Sequence, residues 1–284
     1  MSTKAGEVAI MTDTTCDLPA EMLEEYGITA VPLYILWGDE QLVDGKDIDA
    51  DTFYARLPDD PNHPTTSQPT PGDFVQALAD VEAEDVVIIT LSQALSGTYE
   101  SAVKAAEDVD QRLHVMDSRS LSLGLGWQVL AAARARENGA GVEGILAAAE
   151  RVRDTSSLLL TLETLEYLHR GGRIGAVSKL LGSVIQLKPV LEVDHATGVL
   201  EPVAKIRTRK RAVRRVVEET FERVDPCKPL RVAIIHGAAP DDAERLRREV
   251  EAICQPLEII TGQITPVLGV HGGPGAIGLL AFNE

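Results

Sequence analysis

The chain has 284 residues, 44% hydrophobic and 25% charged, proportions that exclude a wholly disordered or fibrous chain. At roughly 100–200 residues per domain, this length fits two domains or one large one. Its 27 Lys and Arg face 44 Asp and Glu, a formal charge of −17, which repels phosphate backbones and anionic lipid surfaces and argues against nucleic acid as a main partner.

Residues 1–7 lack the apolar core of a secretory signal. Residues 8–12, VAIMT, form an apolar strand that runs into a polar loop at 13–17. Pro19 opens a helix that Gly27 closes. Residues 28–36 read as a second strand, residues 37–51 as a hairpin or small subdomain, and residues 51–57 as a short helix. A loop over 58–70 ends in Thr70-Pro71-Gly72-Asp73, a capping signature for a helix to about residue 81. DVVIITL at 85–91 is the clearest buried strand. A loop at 92–98, a helix to about 108, a strand at 113–116 and helices at 120–138 and 142–153 follow. Strands alternating with helices imply a parallel sheet covered on both faces.

The second half changes style. Residues 157–162 read as a strand, 165–170 as a helix stopped by Gly171-Gly172, and 177–181 as a short helix. Residues 190–193 and 199–204 read as a hairpin, followed by a helix over 207–224. A strand at 231–236, a helix at 241–254, a strand at 257–260 and two short runs, 265–270 and 275–282, complete the chain. The expected fold is α/β with two α/β domains: a parallel-sheet, Rossmann-like domain over 1–157 and a mixed-sheet domain over 158–284. Residues 262–282 are uncharged, but Thr265, Pro266, His271, Pro274 and six glycines break them. A membrane-spanning helix is not written that way. The chain reads as cytoplasmic, without stable membrane insertion.

Several patterns carry chemistry. Gly273 to Gly278 spell GxGxxG, yet a dinucleotide fingerprint should follow the first strand and open a helix. Only six residues follow Gly278. The loop is either a tight turn between two strands or a place where a ligand reaches backbone N–H groups beside His271. Thr66 and Ser67 precede the Thr70 cap without a structural duty of their own, unless they simply face solvent. Ser96-Gly97-Thr98 sits at the carboxyl end of a buried strand and the start of a helix, which suits an anion. Ser96 could equally cap that helix. Asp13-Thr14-Thr15 follows the first strand in the same way, and the two loops would face each other across a crevice. Gly171-Gly172-Arg173 offers either a fixed guanidinium or a surface arginine after a helix stop.

Other chemistries are missing. The sequence holds no GxxxxGK[ST], HExxH or GxSxG, and the histidines at 63, 114, 169, 195, 236 and 271 lack metal-ligand spacing. Ser101 and Lys104 match SxxK inside a helix, without that mechanism's companion motifs. Cys16, Cys227 and Cys254 are far apart, indicating neither zinc nor a disulfide framework. No nucleophile, base and orienter assemble from the sequence, and no metal or cofactor is expected. The polar groups suit holding an anion rather than attacking a substrate.

In order, Thr12-Asp13-Thr14 with Asp17-Leu18-Pro19, Val31-Pro32-Leu33, Thr66-Ser67-Gln68-Pro69, Leu95-Ser96-Gly97-Thr98-Tyr99, Gly171-Gly172-Arg173-Ile174 and His271-Gly272-Gly273-Pro274-Gly275 resemble the DegV family of fatty-acid-binding proteins over nearly the whole chain. Two departures are small: Gly273 or its neighbour stands where the family commonly has Thr or another small residue, and Cys16 follows Thr15. The resemblance implies a long-chain fatty acid buried between the two domains. It implies that Thr66 and Ser96, with Gly97 beside them, bond the carboxylate, and that His271 and Arg173 belong to the surrounding polar network. Asp13, Thr14, Ser67 and Gly272 would be further crevice residues. It also implies a separate ATP-dependent fatty-acid kinase that makes acyl phosphate, this chain being the carrier and not the enzyme.

Burying about 14 methylenes is worth roughly 11 kcal/mol gross, against ~1.5–3 kcal/mol for each charge-assisted hydrogen bond. Chain burial should therefore dominate affinity, while the hydroxyls fix which end emerges. With aromatics at only 4%, Leu, Ile, Val and Ala are left to line the tunnel. The basic run Lys205, Arg207, Arg209, Lys210, Arg211, Arg214 and Arg215 is either a solvated helix face or a docking patch for an acidic face of the kinase. The rival readings are a transferase or hydrolase using Asp13, Ser96 and His271, and a lipid-sensing regulatory module.

Overall fold

The computed structural model describes residues 8–180 and 187–284. The expected lack of a signal at residues 1–7, and the last residue of the 177–181 helix, lie outside them. Strand β1 (Ala9–Asp13) is buried throughout and ends in a 3-10 turn, Thr14–Cys16. Helix α1 (Ala20–Glu25) follows Pro19 and gives way at Gly27, whose φ of 54° a side chain would resist. The strand expected over 28–36 is two strands, β2 (Ile28–Val31) and β3 (Tyr34–Trp37), in different sheets. Pro32 has no N–H for a ladder, and the Leu33 N–H turns aside to the Thr14 hydroxyl at 3.3 Å.

Strand β4 (Glu40–Val43) closes the expected hairpin on β3, and α2 (Ala50–Arg56) is capped by Asp49. The loop expected over 58–70 contains a further strand, β5 (Thr65–Ser67), antiparallel to β3. Three polar residues give no apolar alternation, so this strand leaves no periodic trace. Helix α3 (Pro71–Leu78) carries the expected capping box of Thr70 and Asp73. Then come β6 (Asp85–Thr90), α4 (Thr98–Ala105), β7 (Arg112–Asp117), α5 (Leu123–Glu137) and α6 (Val142–Thr155). The first sheet runs β2-β1-β6-β7, with every pair parallel.

The next elements are β8 (Ser157–Thr161), α7 (Glu166–Arg170), a 3-10 turn at Gly175–Leu180, β9 (Lys188–Val193) and β10 (Leu200–Ile206). Helix α8 (Arg209–Arg223), β11 (Leu230–His236), α9 (Pro240–Ile253), β12 (Glu258–Gln263), α10 (Pro266–Gly272) and β13 (Ile277–Asn283) follow. The second sheet runs β10-β9-β8-β13-β11-β12, antiparallel except between β11 and β12. The expected α/β class, with one parallel and one mixed sheet, is what forms. The expected turn between two strands at Gly273 instead joins a helix to a strand. Pro266 sits in the first turn of α10 after an extended Thr265, which favours helix over strand.

Helix α5 buries residues on every side, from Leu123 and Leu125 to Leu130 and Ala133. It lies in one apolar core with Ile10, Val87 and Ile89 of the parallel sheet and Leu158, Leu160, Ile235 and Leu280 of the mixed sheet. The outer sheet faces have separate clusters, under α3 and α4 on one side and α8 and α9 on the other. Among the described residues, no helix is long and apolar enough to cross a membrane.

Candidate functional site

Four elements converge on one cavity. Strand β5 sets Thr66 opposite Ile35. The loop after β6 brings Ser96, the last turn of α10 brings His271, and the glycine turn after α7 brings Arg173. All four line a space of about 500 Å³, open solvent at its mouth included, together with Ser67, Gln68 and a ring of leucines. Leu121, Leu168, Leu200, Leu268 and His271 also line a second space of about 500 Å³, measured likewise with open solvent included. That inner chamber continues past Leu160, Leu162, Ile235 and Ala276 and presents only apolar surface. Gly272 lines this chamber and not the polar end.

Thr66 Oγ1 lies 2.9 Å from His271 Nε2. Apolar enclosure, and after it the nearby Arg173 charge and His63, push the His271 pKa down to about 4. The ring is therefore neutral at neutral pH and carries a single N–H. Its Nδ1 is sealed from solvent and has no partner among the described residues. Gly171 permits this approach, since a Cβ there would collide with Nδ1. Arg173 spans the mouth, its Nε donating to the Leu95 carbonyl at 3.3 Å and its Nη1 to the Gly171 carbonyl at 3.0 Å. Both bonds go to neutral carbonyls, so the guanidinium charge is left uncompensated by them.

Ser96 does not cap α4. Gly97 occupies the cap position without a side-chain bond, and the Ser96 hydroxyl meets Thr98 Oγ1 at 2.9 Å. Gly97 leaves room for the Gln68 side chain, which fills the place of a Cβ. Ser67 is exposed at the rim, bonded to the Gln68 carbonyl at 3.3 Å.

Asp13 and Thr14 stand elsewhere. Asp13 is fully buried and accepts from the Leu91 N–H at 2.8 Å, the Thr15 N–H at 3.0 Å and the Thr15 hydroxyl. It ties the end of β1 to the end of β6, and burial pushes its pKa up to about 6. The Thr14 hydroxyl donates to Asp44 Oδ2 at 2.6 Å. The glycine turn does not present free N–H groups either. Gly273 donates to the Gly269 carbonyl at 2.8 Å and Gly275 to the Gly237 carbonyl at 2.7 Å. The left-handed Gly273, at φ 71°, instead clears space for the Tyr167 ring.

Sequence reasoning missed the pair that holds α10. Asp17 accepts from the Thr265 N–H at 3.0 Å and from the Ser122 hydroxyl. Asp44 accepts from the Val267 N–H at 3.4 Å and from Thr14. Burial pushes Asp17 up to about 7 and Asp44 up to about 6. Asp17 had a signal, its place in a matching motif; Asp44 lies in a polar stretch that reads as surface.

The basic run divides. Arg209 Nη2 and Nε bind Asp242 Oδ2 at 2.8 and 3.1 Å, and Arg209 Nη1 lies 3.7 Å from Glu163. Arg214 and Arg215 pair with Glu218 and Glu219 one turn along α8. Lys205, Arg207, Lys210 and Arg211 are exposed.

A family model described as an uncharacterised protein of the DegV family matches residues 7–284. A DegV domain-containing protein of Streptomyces coelicolor is 37% identical, with 98% of this chain and 99% of the relative covered. A DegV family protein of Thermus thermophilus, whose structure is described as showing fatty acid binding, superposes with a TM-score of 0.91 at 32% identity over 98% of this chain and 100% of that one. DegV of Bacillus subtilis, described as a fatty acid binding protein, superposes with a TM-score of 0.89 at 30% identity over 98% and 100%.

Proposed function

The chain belongs to the DegV family, and from that premise we propose that it binds a long-chain fatty acid and presents its carboxylate to a separate ATP-dependent fatty-acid kinase. The observation that carries the reading is an apolar chamber that opens at one end onto Thr66, Ser96, His271 and Arg173. An acyl chain occupies the leucine-lined space, and the carboxylate meets the Thr66 and Ser96 hydroxyls. Each hydroxyl can donate to an anion. The Arg173 charge at the mouth, bonded to the neutral Leu95 and Gly171 carbonyls, favours the ionised acid. Neutral His271 fixes the Thr66 hydroxyl without adding a charge.

The division of labour follows from the chemistry. The chain has no phosphate-binding loop, so ATP comes with the partner. Exposed Lys205, Arg207, Lys210 and Arg211 form a cationic strip suited to an acidic partner face. A transferase or hydrolase in the crevice is disfavoured, because Asp13 has its bonds filled by Thr15 and Leu91. We place the protein in the cytoplasm, where such a kinase and its ATP are found together.

Native mass spectrometry of the purified protein, followed by solvent extraction and lipid identification, tests the binding. One C14–C18 fatty acid per chain is expected. A protein that is empty and refuses added fatty acid overturns the reading. Acyl phosphate formation with a fatty-acid kinase and ATP then tests presentation.

A further inference from the structure

Strand β13 alternates its faces. Ile277, Leu279 and Ala281 join the cluster under α8 and α9, while Leu280 and Phe282 face the central core. Gly278 lies on the central face, where a side chain is missing. Its cross-strand partners are Leu160 on β8 and Ile235 on β11. Directly paired residues on neighbouring antiparallel strands project from the same face, and Leu160 and Ile235 both line the inner chamber. Ile235 leans into the vacancy: a Cβ on Gly278 would lie 2.8 Å from Ile235 Cγ1 and 2.9 Å from its Cδ1. Only the absence of a Cβ at 278 allows Ile235 to fold down against the sheet, out of the chamber.

We propose that the contact between Ile235 and Gly278 sets the length of acyl chain the inner chamber accepts. The inference rests on the fatty-acid reading above and names the residues that decide which acid is taken. The φ at 278 is not in the left-handed region, and the nearest backbone atom to a methyl there, the Leu159 carbonyl oxygen at 3.0 Å, has to yield by a few tenths of an ångström. The methyl would push the flexible end of Ile235 toward the ligand and shorten the chamber. Trimming Ile235 removes three carbons from the chamber wall and lengthens it.

The test compares the intact wild-type chain with Gly278→Ala, Ile235→Ala and the double variant, all produced in one host. Bound acids are extracted and their chain lengths measured. Each protein is then stripped and offered an equimolar mixture of C12 to C20 saturated acids. Gly278→Ala should shift the bound distribution shorter by about two carbons, the reach of one displaced side chain. Ile235→Ala should shift it longer by about two carbons. The double variant should return toward wild type, since the new methyl then displaces no Ile235 side chain and meets only the Leu159 carbonyl oxygen. Ile235→Val, which removes one methyl, serves if the alanine variant fails to fold, and should give a smaller shift to longer chains. Unchanged distributions with one acid still bound per chain would overturn the proposal and leave the fatty-acid reading standing. A wild type that binds no acid overturns both.

Discussion

The two ends of α10 are built on opposite terms. At its start, all four oxygens of Asp17 and Asp44 are occupied, two by N–H groups of Thr265 and Val267 and two by the hydroxyls of Ser122 and Thr14. At its end, among the described residues, His271 has one hydroxyl partner and a sealed Nδ1 with none. Filled bonding capacity fixes a helix in place. Spare capacity beside a cavity is where a ligand can be recognised. The seven-residue helix thus joins a finished anchor to an unfinished site, and substitutions at its two ends should have different consequences.

The largest effect belongs to the anchor. Asp17→Ala strands the buried Ser122 hydroxyl and the half-buried Thr265 N–H, at a cost of about 3 kcal/mol. Urea unfolding should show the loss, and a midpoint within error of wild type would mean that α10 is held by packing alone. At the other end, Thr66→Ala combined with Ser96→Ala should leave that midpoint nearly unchanged. It should weaken fatty-acid binding by about tenfold to a hundredfold, the worth of one charge-assisted hydrogen bond or more. Titration with a fluorescent fatty acid measures it. Retained affinity together with undiminished acyl phosphate formation would remove those hydroxyls from the site.

Charge reversal comes next. Lys210→Glu with Arg211→Glu should slow acyl phosphate formation by about tenfold without altering bound lipid, and the effect should fade with added salt. Reversing Arg209 gives a less direct answer, because it also breaks the pair with Asp242.

The smallest effect is a pH slope. Asp13, Asp17 and Asp44 titrate in the folded chain at about 6, 7 and 6, above the unfolded value of roughly 3.9. Between these limits the folded state holds more protons than the unfolded one. Their contribution is full below about pH 4 and is lost as pH rises through 6 to 7. His271 works the other way: at about 4 when folded, it is penalised as pH falls below roughly 6.5. The three carboxylates should prevail, so stability should rise from pH 8 to pH 5. Asp17→Asn should flatten the slope. An equally steep slope in that variant would place the proton uptake elsewhere.

Much of this arrangement is legible in the sequence. Thr66, Ser96, Arg173 and His271 lie in short motifs whose order along the chain carries the family resemblance, and the structure brings those four residues to one cavity. The strand–helix alternation of the first half survives because its apolar periods are long. What stays hidden is short or tertiary. Pro32 splits a run that reads as continuous. Strand β5 is too brief and too polar to show a period. The burial of Asp44 depends on α10 arriving from more than 200 residues away, which no local pattern encodes.

Strand β5 has one further consequence. It is three residues long and lies at the edge of a small sheet, paired among the described residues only with β3. Short edge segments open at far lower free energy than the strands of a central sheet. Thr66 can therefore swing away from His271 while both large sheets stay closed. Ligand exchange then needs only a local fluctuation, one that amide hydrogen exchange at Thr65, Thr66 and Ser67 would time directly, fast in the empty protein and slow in the loaded one.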